Sequence, residues 1–243
     1  SDIVVEGLAG HKFALEYKDG KIVLNISDTR DSESSVWTGD KGSVWDLMST
    51  ENFSSSDKLF VTGDELTFND DASTTDVNLA EDVTPGNIFF KNNKKDYSLA
   101  GNGSILGEGS LNVEGTGTVN IKNTNKYSGG TNVKGGILAP ATLANKDGLE
   151  FGSLGSADNT ITLSNKGTLK VASGMTASHP IVLGENGGTI NNTGTLILNG
   201  GIIRSNGGKN RDLYKTGTGT LQSNCDADFD VLYINQGTVY DFQ

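Results

Sequence analysis

The chain has 243 residues, of which 33 are Gly and only 3 are Pro, a formal net charge of −11 and an isoelectric point near 4.6. This length is sufficient for a buried core in one or two domains, and the shortage of Pro excludes collagen and proline-rich linkers. The acidic charge opposes binding to nucleic-acid phosphates and to anionic membrane surfaces, and no apolar run approaches the length of a membrane span.

The first predicted element is a β-hairpin at residues 11–26. Phe13, Leu15 and Tyr17 alternate with polar residues, Lys18-Asp19-Gly20 interrupts the pattern, and Ile22, Leu24 and Ile26 resume it. Period-two alternation on both sides of a Gly-containing turn is typical of a hairpin. No signal-peptide pattern precedes it, so we expect that any export signal has been removed or that the chain is part of a longer protein.

Residues 36–98 form the second predicted unit, after an N-terminal unit of residues 1–35. Both tryptophans, Trp37 and Trp45, lie here, followed by Phe53, Phe60 and Phe68. Large aromatic side chains anchor small cores, which predicts a cap and the first coils of the fold that follows. Residues 44–48 are the one place where the pattern suggests a turn of helix.

Residues 99–243 are predicted to form a repeat region. A short unit of Gly, then Thr or Ser, then alternating apolar residues recurs, for example at residues 109–113, 117–121, 167–171 and 194–198. Short alternating strands separated by Gly and Asn corners predict an all-β parallel solenoid. The alternative is an antiparallel sandwich or jelly roll, because Asn186-Gly187 and Asn199-Gly200 are favourable hairpin turns.

The alternation also predicts which side chains point into the solenoid. Each occupies an apolar position between polar neighbours, and strand side chains alternate between the two faces. The predicted inward residues are Val119, Ile121, Val133, Leu138, Leu169, Val171, Leu196 and Leu198.

Residues 114–138 resemble the autotransporter-associated β-strand repeat, whose pattern is G-x-G-T-L-x-L-x-x-x-N-x-Y-S-G-G-T-x-V-x-x-G-x-L. Val119 and Ile121 replace the leucines, a degenerate copy begins at Lys215, and residues 37–68 are similar to the segment that often precedes such repeats. The resemblance covers about two thirds of the chain. It implies a right-handed parallel β-helix in a secreted or surface bacterial protein, and it carries no catalytic residues.

The nucleophiles and bases of the chain are few. His11 and His179 are the only histidines, no G-x-S-x-G elbow exists, and a zinc site needs more His or Cys than the chain has. Cys225 is the single cysteine, so no internal disulfide forms; we expect it to be a buried small residue within a strand. We therefore predict no catalytic, cofactor or metal residues.

Two acidic groups and five tyrosines are the remaining candidates. Asp70-Asp71 and the period-two set Asp226, Asp228 and Asp230 could supply calcium ligands, although the EF-hand pattern is not met, and a solvated acidic face is the competing interpretation. A paired-carboxylate glycosidase is a further alternative, since carboxylate separation cannot be read from sequence. The tyrosines that could stack on a sugar are Tyr97, Tyr127, Tyr214, Tyr233 and Tyr240.

Two functional hypotheses follow. The first is a non-catalytic, extracellular or cell-surface module, such as a stalk, fibre, adhesin segment or matrix component, whose partners are an extracellular glycan or host surface. The second is a polysaccharide-processing β-helix enzyme or its ancillary sugar-binding part. We also expect end-to-end contact between modules, within a longer parent chain or between copies, because terminal coils leave unpaired strand edges.

Overall fold

The computed structural model describes residues 13–26, 30–172 and 174–240, and these contain 25 β-strands and no helix. His11 and the last three residues of the chain lie outside the described residues. The helical turn expected at residues 44–48 is wrong, because Val44–Trp45 forms a short strand that pairs with a later coil.

The hairpin predicted near the N-terminus is confirmed. Strands β1 (Phe13–Lys18) and β2 (Lys21–Ile26) are antiparallel and joined at Asp19-Gly20, where both residues have positive φ. In this register Phe13, Leu15 and Tyr17 lie directly opposite Ile26, Leu24 and Ile22, so one face of the hairpin is apolar throughout.

The rest of the described chain winds through two long parallel sheets and one shorter one. The eight-stranded sheet contains, in spatial order, β3 (Ser34–Val36), β5 (Glu65–Phe68), β7 (Ile88–Phe90), β9 (Leu111–Val113), β11 (Thr131–Val133), β15 (Ile161–Leu163), β18 (Ile181–Leu183) and β21 (Ile202–Arg204). The nine-stranded sheet contains β4 (Val44–Trp45), β6 (Asp76–Leu79), β8 (Tyr97–Gly101), β10 (Thr118–Ile121), β12 (Ile137–Pro140), β16 (Gly167–Val171), β19 (Gly188–Asn192), β22 (Leu213–Thr216) and β24 (Leu232–Ile234).

A third, four-stranded sheet is confined to the C-terminal part. Its strands are β17 (Met175–Ala177), β20 (Leu196–Leu198), β23 (Thr220–Ser223) and β25 (Thr238–Tyr240). Each strand pairs in parallel with the equivalent strand one coil away, as in β15–β18 and β16–β19. The described residues from 30 onward are therefore a parallel β-helix of about eight coils, which confirms the predicted solenoid.

The antiparallel sandwich is wrong for a specific reason. Asn186 and Gly187 both have positive φ, as a two-residue hairpin turn requires, but they join β18 to β19, which belong to different sheets. Asn199-Gly200 likewise connects β20 of the four-stranded sheet to β21 of the eight-stranded sheet. These turns bend the chain around the corners of a coil, where left-handed backbone is also required, at Asn186 and Gly187 in the first corner and at Gly201 in the second.

The predicted alternation sets the core. Burial follows the pattern buried–intermediate–buried in strands such as β15, β18 and β20. All eight residues predicted to point inward are at most 1% exposed. Inward positions align from coil to coil, as Leu163 does with Leu183, so each aliphatic side chain packs on its neighbours along the axis.

The first coils hold the aromatic cap that the sequence predicts. Trp37, Trp45 and Phe60 are fully buried, and Phe68 stacks on Phe90 with ring centroids 4.9 Å apart. The segment at residues 52–54 covers the outer edge of β3, since the Ser54 amide donates to the Val36 carbonyl. Strand β8 crosses the predicted boundary between residues 98 and 99, so the nine-stranded sheet runs through both predicted units without interruption.

One coil carries a long excursion between β12 and β15. Residues 141–160 leave the helical path and contain a small antiparallel pair, β13 (Phe151–Gly152) and β14 (Gly155–Ser156). The excursion lies beside the start of the four-stranded sheet, because the Ser178 amide donates to the Ala144 carbonyl at 3.0 Å.

Candidate functional site

His179 is a structural residue of the excursion. Its ring is fully buried, its Nδ1 is 2.9 Å from the Asn159 carbonyl oxygen, and its Nε2 accepts the Ala144 amide hydrogen at 3.2 Å. Both contacts are satisfied when Nδ1 carries the proton, and burial lowers the pKa of the imidazole, which keeps it neutral. Both ring nitrogens are thus occupied by main-chain groups that hold the excursion to β17.

The expectation for Cys225 is wrong. The residue is exposed and follows β23, which ends at Ser223. Its thiol lies 3.0 Å from the Asn199 carbonyl oxygen of the preceding coil. The apolar alternation stops after Leu221, and the corner that follows turns the side chain outward.

Asp70 organises a turn in the neighbouring coil. Its carboxylate accepts hydrogen bonds from the amides of Asn93, Lys94 and Lys95, at distances of 2.9 to 3.1 Å. The Lys94 amide in particular lowers the pKa of this carboxyl. Asp71 instead contacts the side chain of Asn69, so the two adjacent acids do not form a common site.

Asp226, Asp228 and Asp230 are exposed and alternate with Ala227 and Phe229, which pack on the core. They do not lie in a strand, since only Ala227 makes an isolated bridge, to Ile202. Arg204 lies 2.6 Å from Asp228 and 2.8 Å from Asp230. Arg211 also binds Asp230, and the arginine contacts, with that of Arg204 foremost, lower the pKa of Asp230 to about 2. Two of the three proposed calcium ligands are therefore paired with guanidinium groups.

The tyrosines divide into two classes. Tyr97 and Tyr127 are buried; the Tyr97 hydroxyl donates to the Asn69 carbonyl at 2.6 Å, and burial raises the pKa of both phenols. Tyr214 and Tyr233 stack on the outside of the nine-stranded sheet, with centroids 4.8 Å apart and an interplanar angle of 9°. Tyr233 and Tyr240, which are 42% and 61% exposed, present the more accessible rings.

The outer faces of the solenoid carry ladders of amide side chains. Asn132 donates to Asn112 at 3.0 Å, Asn186 to Asn165 at 2.9 Å, and Asn224 to Asn199 at 2.9 Å. The partners are 20, 21 and 25 residues apart, which are the lengths of the coils they join. Such bonds fasten adjacent coils to each other.

One shallow depression of about 450 Å³ brings acids and a base together on the excursion. It is lined by Lys146, Gly148, Glu150, Ser156, Ala157 and Asp158. The Lys146 ammonium lies 2.7 Å from Asp158, and both side chains are well exposed. This is the arrangement closest to a sugar-binding or carboxylate site, and the sequence analysis did not identify it because its residues carry no recognisable spacing.

The ammonium group of Lys215 lies inside the last coils. The sequence analysis did not identify this residue either. Its side chain is fully buried and donates to the carbonyls of Thr216, Gly217 and Gln236, at distances of 2.7 to 3.2 Å. It aligns with the inward Ile190 of the previous coil. The signal was present in the alternation of Leu213 and Lys215, which places both on the same face of β22.

Within the described ranges, no group of three or more His, Cys, Asp or Glu residues is placed to hold a metal ion. The same residues include no helix long and apolar enough to cross a membrane.

No family model, curated protein or solved structure matches this chain. The resemblance of residues 114–138 to the autotransporter-associated repeat therefore stays a prediction, as do the surface location and the glycan or host partner.

Proposed function

We propose that this β-helix is a non-catalytic structural module of an extracellular or cell-surface bacterial protein, acting as a stalk, fibre or matrix component. One observation carries the proposal: the side chains that were candidates for catalysis or ligand binding instead hold the coils and turns of the chain together. His179 binds two main-chain groups, Asp70 holds a turn, and Asp230 is paired with arginine.

The construction of the surface supports the same role. Hydrogen bonds between Asn side chains join adjacent coils on the outside, and each coil rests on the next through a continuous buried column. Such a stack behaves as a rod whose length grows by one strand spacing, about 4.8 Å, per coil. The negative charge keeps neighbouring rods apart.

Display at the surface is tested by antibody labelling of intact and permeabilised cells of the source organism. We expect antibodies against the solenoid to label intact cells. Labelling only after permeabilisation would contradict the extracellular part of the proposal.

A polysaccharide-processing or sugar-binding role is the second candidate, and the depression around Glu150, Asp158 and Lys146 is what favours it. A panel of neutral and acidic polysaccharides, assayed for depolymerisation and for binding, separates the two. We expect no turnover. Turnover that disappears in Glu150→Gln but persists in Glu185→Gln, an acid outside this depression, would establish the enzyme instead.

A further inference from the structure

The coil that contains β12 and the next coil, which contains β16, separate part-way along these two strands. Their last register pair within the described residues is Leu138 with Leu169, although β12 continues to Pro140 and β16 to Val171. On their other edges both strands pair to the end, β12 with β10 and β16 with β19. The stack therefore opens between these two coils at a position where the coils on either side remain paired.

A cleft runs from this opening along the start of the excursion. Its first part is a depression of about 240 Å³ between Ala139 and Ala141 on one side and Lys170 on the other, with Lys122 at its rim. Its second part, of about 290 Å³, lies between the excursion and β17 and shares Ala141 with the first. We call the two parts together the inter-coil cleft. Ser173, between the two parts, lies outside the described residues.

Buried polar contacts fix the excursion wall of the inter-coil cleft. Asn125 donates through Nδ2 to the Ser153 carbonyl at 2.7 Å, and His179 contacts both the Ala144 amide and the Asn159 carbonyl. These five residues are at most 4% exposed. A wall held by satisfied buried groups keeps its shape without a ligand, which lowers the entropy that a ligand loses on binding.

The opposite wall of the second part is an unpaired strand edge. β17 is terminal in the four-stranded sheet; its Met175 amide donates to the Thr195 carbonyl at 2.9 Å, and its Ala177 carbonyl accepts the Asn199 amide at 2.7 Å. Because backbone groups alternate between the two edges of a strand, the N–H and C=O of Thr176 are directed to the cleft that this residue lines. Neither group has a hydrogen-bond partner among the described residues. An edge of this kind is a template for a further strand.

The side chains of the inter-coil cleft divide into a basic end and an apolar end. In the part of the chain that the structure describes, the ammonium groups of Lys122 and Lys170 have no ion-pair partner, and no acid lines either part of the cleft. Unpaired ammonium groups in an acid-free depression attract anions, even on a chain with a net charge of −11. At the other end lie Leu149, which is 40% exposed, and the adaptable thioether of Met175.

We propose that the inter-coil cleft binds an extended peptide, which adds a strand antiparallel to β17. In an antiparallel ladder one residue exchanges both of its backbone bonds with the residue opposite, so a single peptide residue satisfies the N–H and C=O of Thr176. The next residue places an apolar side chain beside Met175. The C-terminal end of such a strand lies beside the start of β17, where carboxylates reach Lys122 and Lys170. This site goes beyond the structural role, which requires no ligand.

The test measures fluorescence anisotropy of a fluorescein-labelled hexapeptide, Thr-Thr-Leu-Thr-Asp-Glu, on the full chain. Its second residue is intended to lie opposite Thr176 and its leucine opposite Met175. One control peptide carries lysines in place of both acids, and another carries a methyl group on the amide nitrogen of the second residue. The protein variants are Thr176→Pro, which removes the edge N–H, its matched control Thr176→Val, which keeps it, and Lys122→Gln with Lys170→Gln.

The natural chain and Thr176→Val are expected to bind the hexapeptide saturably. Thr176→Pro and the methylated peptide should each raise the Kd about tenfold, since each removes a backbone hydrogen bond. The lysine double variant and the lysine-containing peptide should raise the Kd about fivefold, because the contacts are exposed ion pairs. Proline is tolerated on a strand edge, and circular dichroism checks that each variant is folded.

Hydrogen exchange gives a second measurement that needs no variant, because the bound peptide should slow exchange of the Thr176 amide. The proposal is overturned if the natural chain shows no saturation up to millimolar concentration, if the methylated peptide binds as tightly, or if the Thr176 amide is not protected. Displacement of the peptide by an equal concentration of oligogalacturonate would assign the cleft to an acidic glycan instead. None of these results depends on labelling of intact cells, so failure here is distinguishable from failure of the structural role.

Discussion

The inward residues show how single side chains maintain the stack. Leu196 is fully buried in β20 and aligns with Met175 and Leu221 in the adjacent coils. Truncating Leu196 leaves a cavity bordered by three coils. The neighbouring strands are held in place by their backbone pairing, so they cannot close it. The cost of such a truncation is therefore close to that of other core leucines.

We expect Leu196→Ala to lower the free energy of unfolding by about 2–4 kcal/mol. The matched control is Leu149→Ala, since Leu149 is 40% exposed in the excursion. Urea denaturation followed by circular dichroism measures both. Equal stability of the two variants would contradict the inward assignment.

Lys215 stabilises the last coils through the three carbonyls that its ammonium binds. In Lys215→Met the apolar stem keeps most of its volume, but the carbonyls lose their donor. A loss of about 1–3 kcal/mol is expected, the penalty of unsatisfied buried polar groups. Lys170→Met, on the outer face of the same sheet, should change little. A neutral or stabilising effect of Lys215→Met in denaturation experiments would show that the ammonium costs more to bury than its bonds return.

The ion pairs of Asp230 should make the stability of the last coils depend on pH. Its pKa is lowered to about 2, chiefly by the Arg204 contact, whereas an unfolded Asp titrates near 3.9. A depressed pKa contributes stability that is complete above the unfolded value and is lost as the pH falls through the folded value. The protection factors for hydrogen exchange at residues 228–240, corrected for the intrinsic pH dependence of amide exchange, should therefore fall between about pH 4 and pH 2. Asp230→Asn should exchange faster at neutral pH and show a flatter profile; an identical profile in both proteins would count against the ion pairs.

At the scale of elements, the corners limit how closely coils can stack. Gly188 begins β19, and a Cβ there would lie 2.2 Å from Cβ of Leu163 in the preceding coil. To relieve this clash, the Cβ of Leu163 would have to move. That atom is attached directly to the backbone of a packed strand, so the flexible end of a side chain cannot absorb the shift. The glycine is needed for contact between coils and not for its backbone freedom.

Gly188→Ala is expected to destabilise the protein by about 1–3 kcal/mol, as for other overpacked core positions. Gly174→Ala is the control, because the nearest atom to its Cβ would be the Thr195 carbonyl oxygen at 3.5 Å. Thermal melting of the two variants compares them directly. A Gly188→Ala protein as stable as Gly174→Ala would mean that the coils separate easily at this corner.

Local alternation was sufficient to predict the strands and the inward residues. Residues such as Leu169 and Val171 lie two positions apart in the same strand, so they are on the same face. That face is the one turned to the core. The sequence could not decide between corner and hairpin at Asn186-Gly187, because both require positive φ and differ only in where the next strand pairs. That choice is made by contacts about 20 residues away along the chain.

The candidate sites were harder to predict than the strands. Cys225 and the three aspartates follow the last alternating residue of β23, where period-two reasoning no longer applies. The pairing of Asp230 with Arg204, 26 residues away, depends on the length of one coil, which varies along the chain. The excursion at residues 141–160 lacks any repeat, so neither its antiparallel pair nor the Lys146–Asp158 contact could be anticipated.

At the scale of the whole molecule, the account depends on every coil pairing in parallel with the next. The parallel stack produces the continuous core and the hydrogen bonds between Asn side chains of adjacent coils. An antiparallel arrangement of the same strands would keep the alternation and the turns but would remove both features.

Disulfide trapping in a Cys225→Ser background tests this pairing most directly. Thr162 and Val182 are register partners in adjacent coils, so Thr162→Cys with Val182→Cys should cross-link under mild oxidation, as shown by peptide mapping without reductant. In an antiparallel hairpin turning at Asn186-Gly187, Val182 would instead lie opposite Asn191, and Val182→Cys with Asn191→Cys is the matched pair. The parallel β-helix predicts an intramolecular cross-link in the first pair and none in the second. A cross-link in the second pair, with none in the first, would contradict the fold and everything inferred from it.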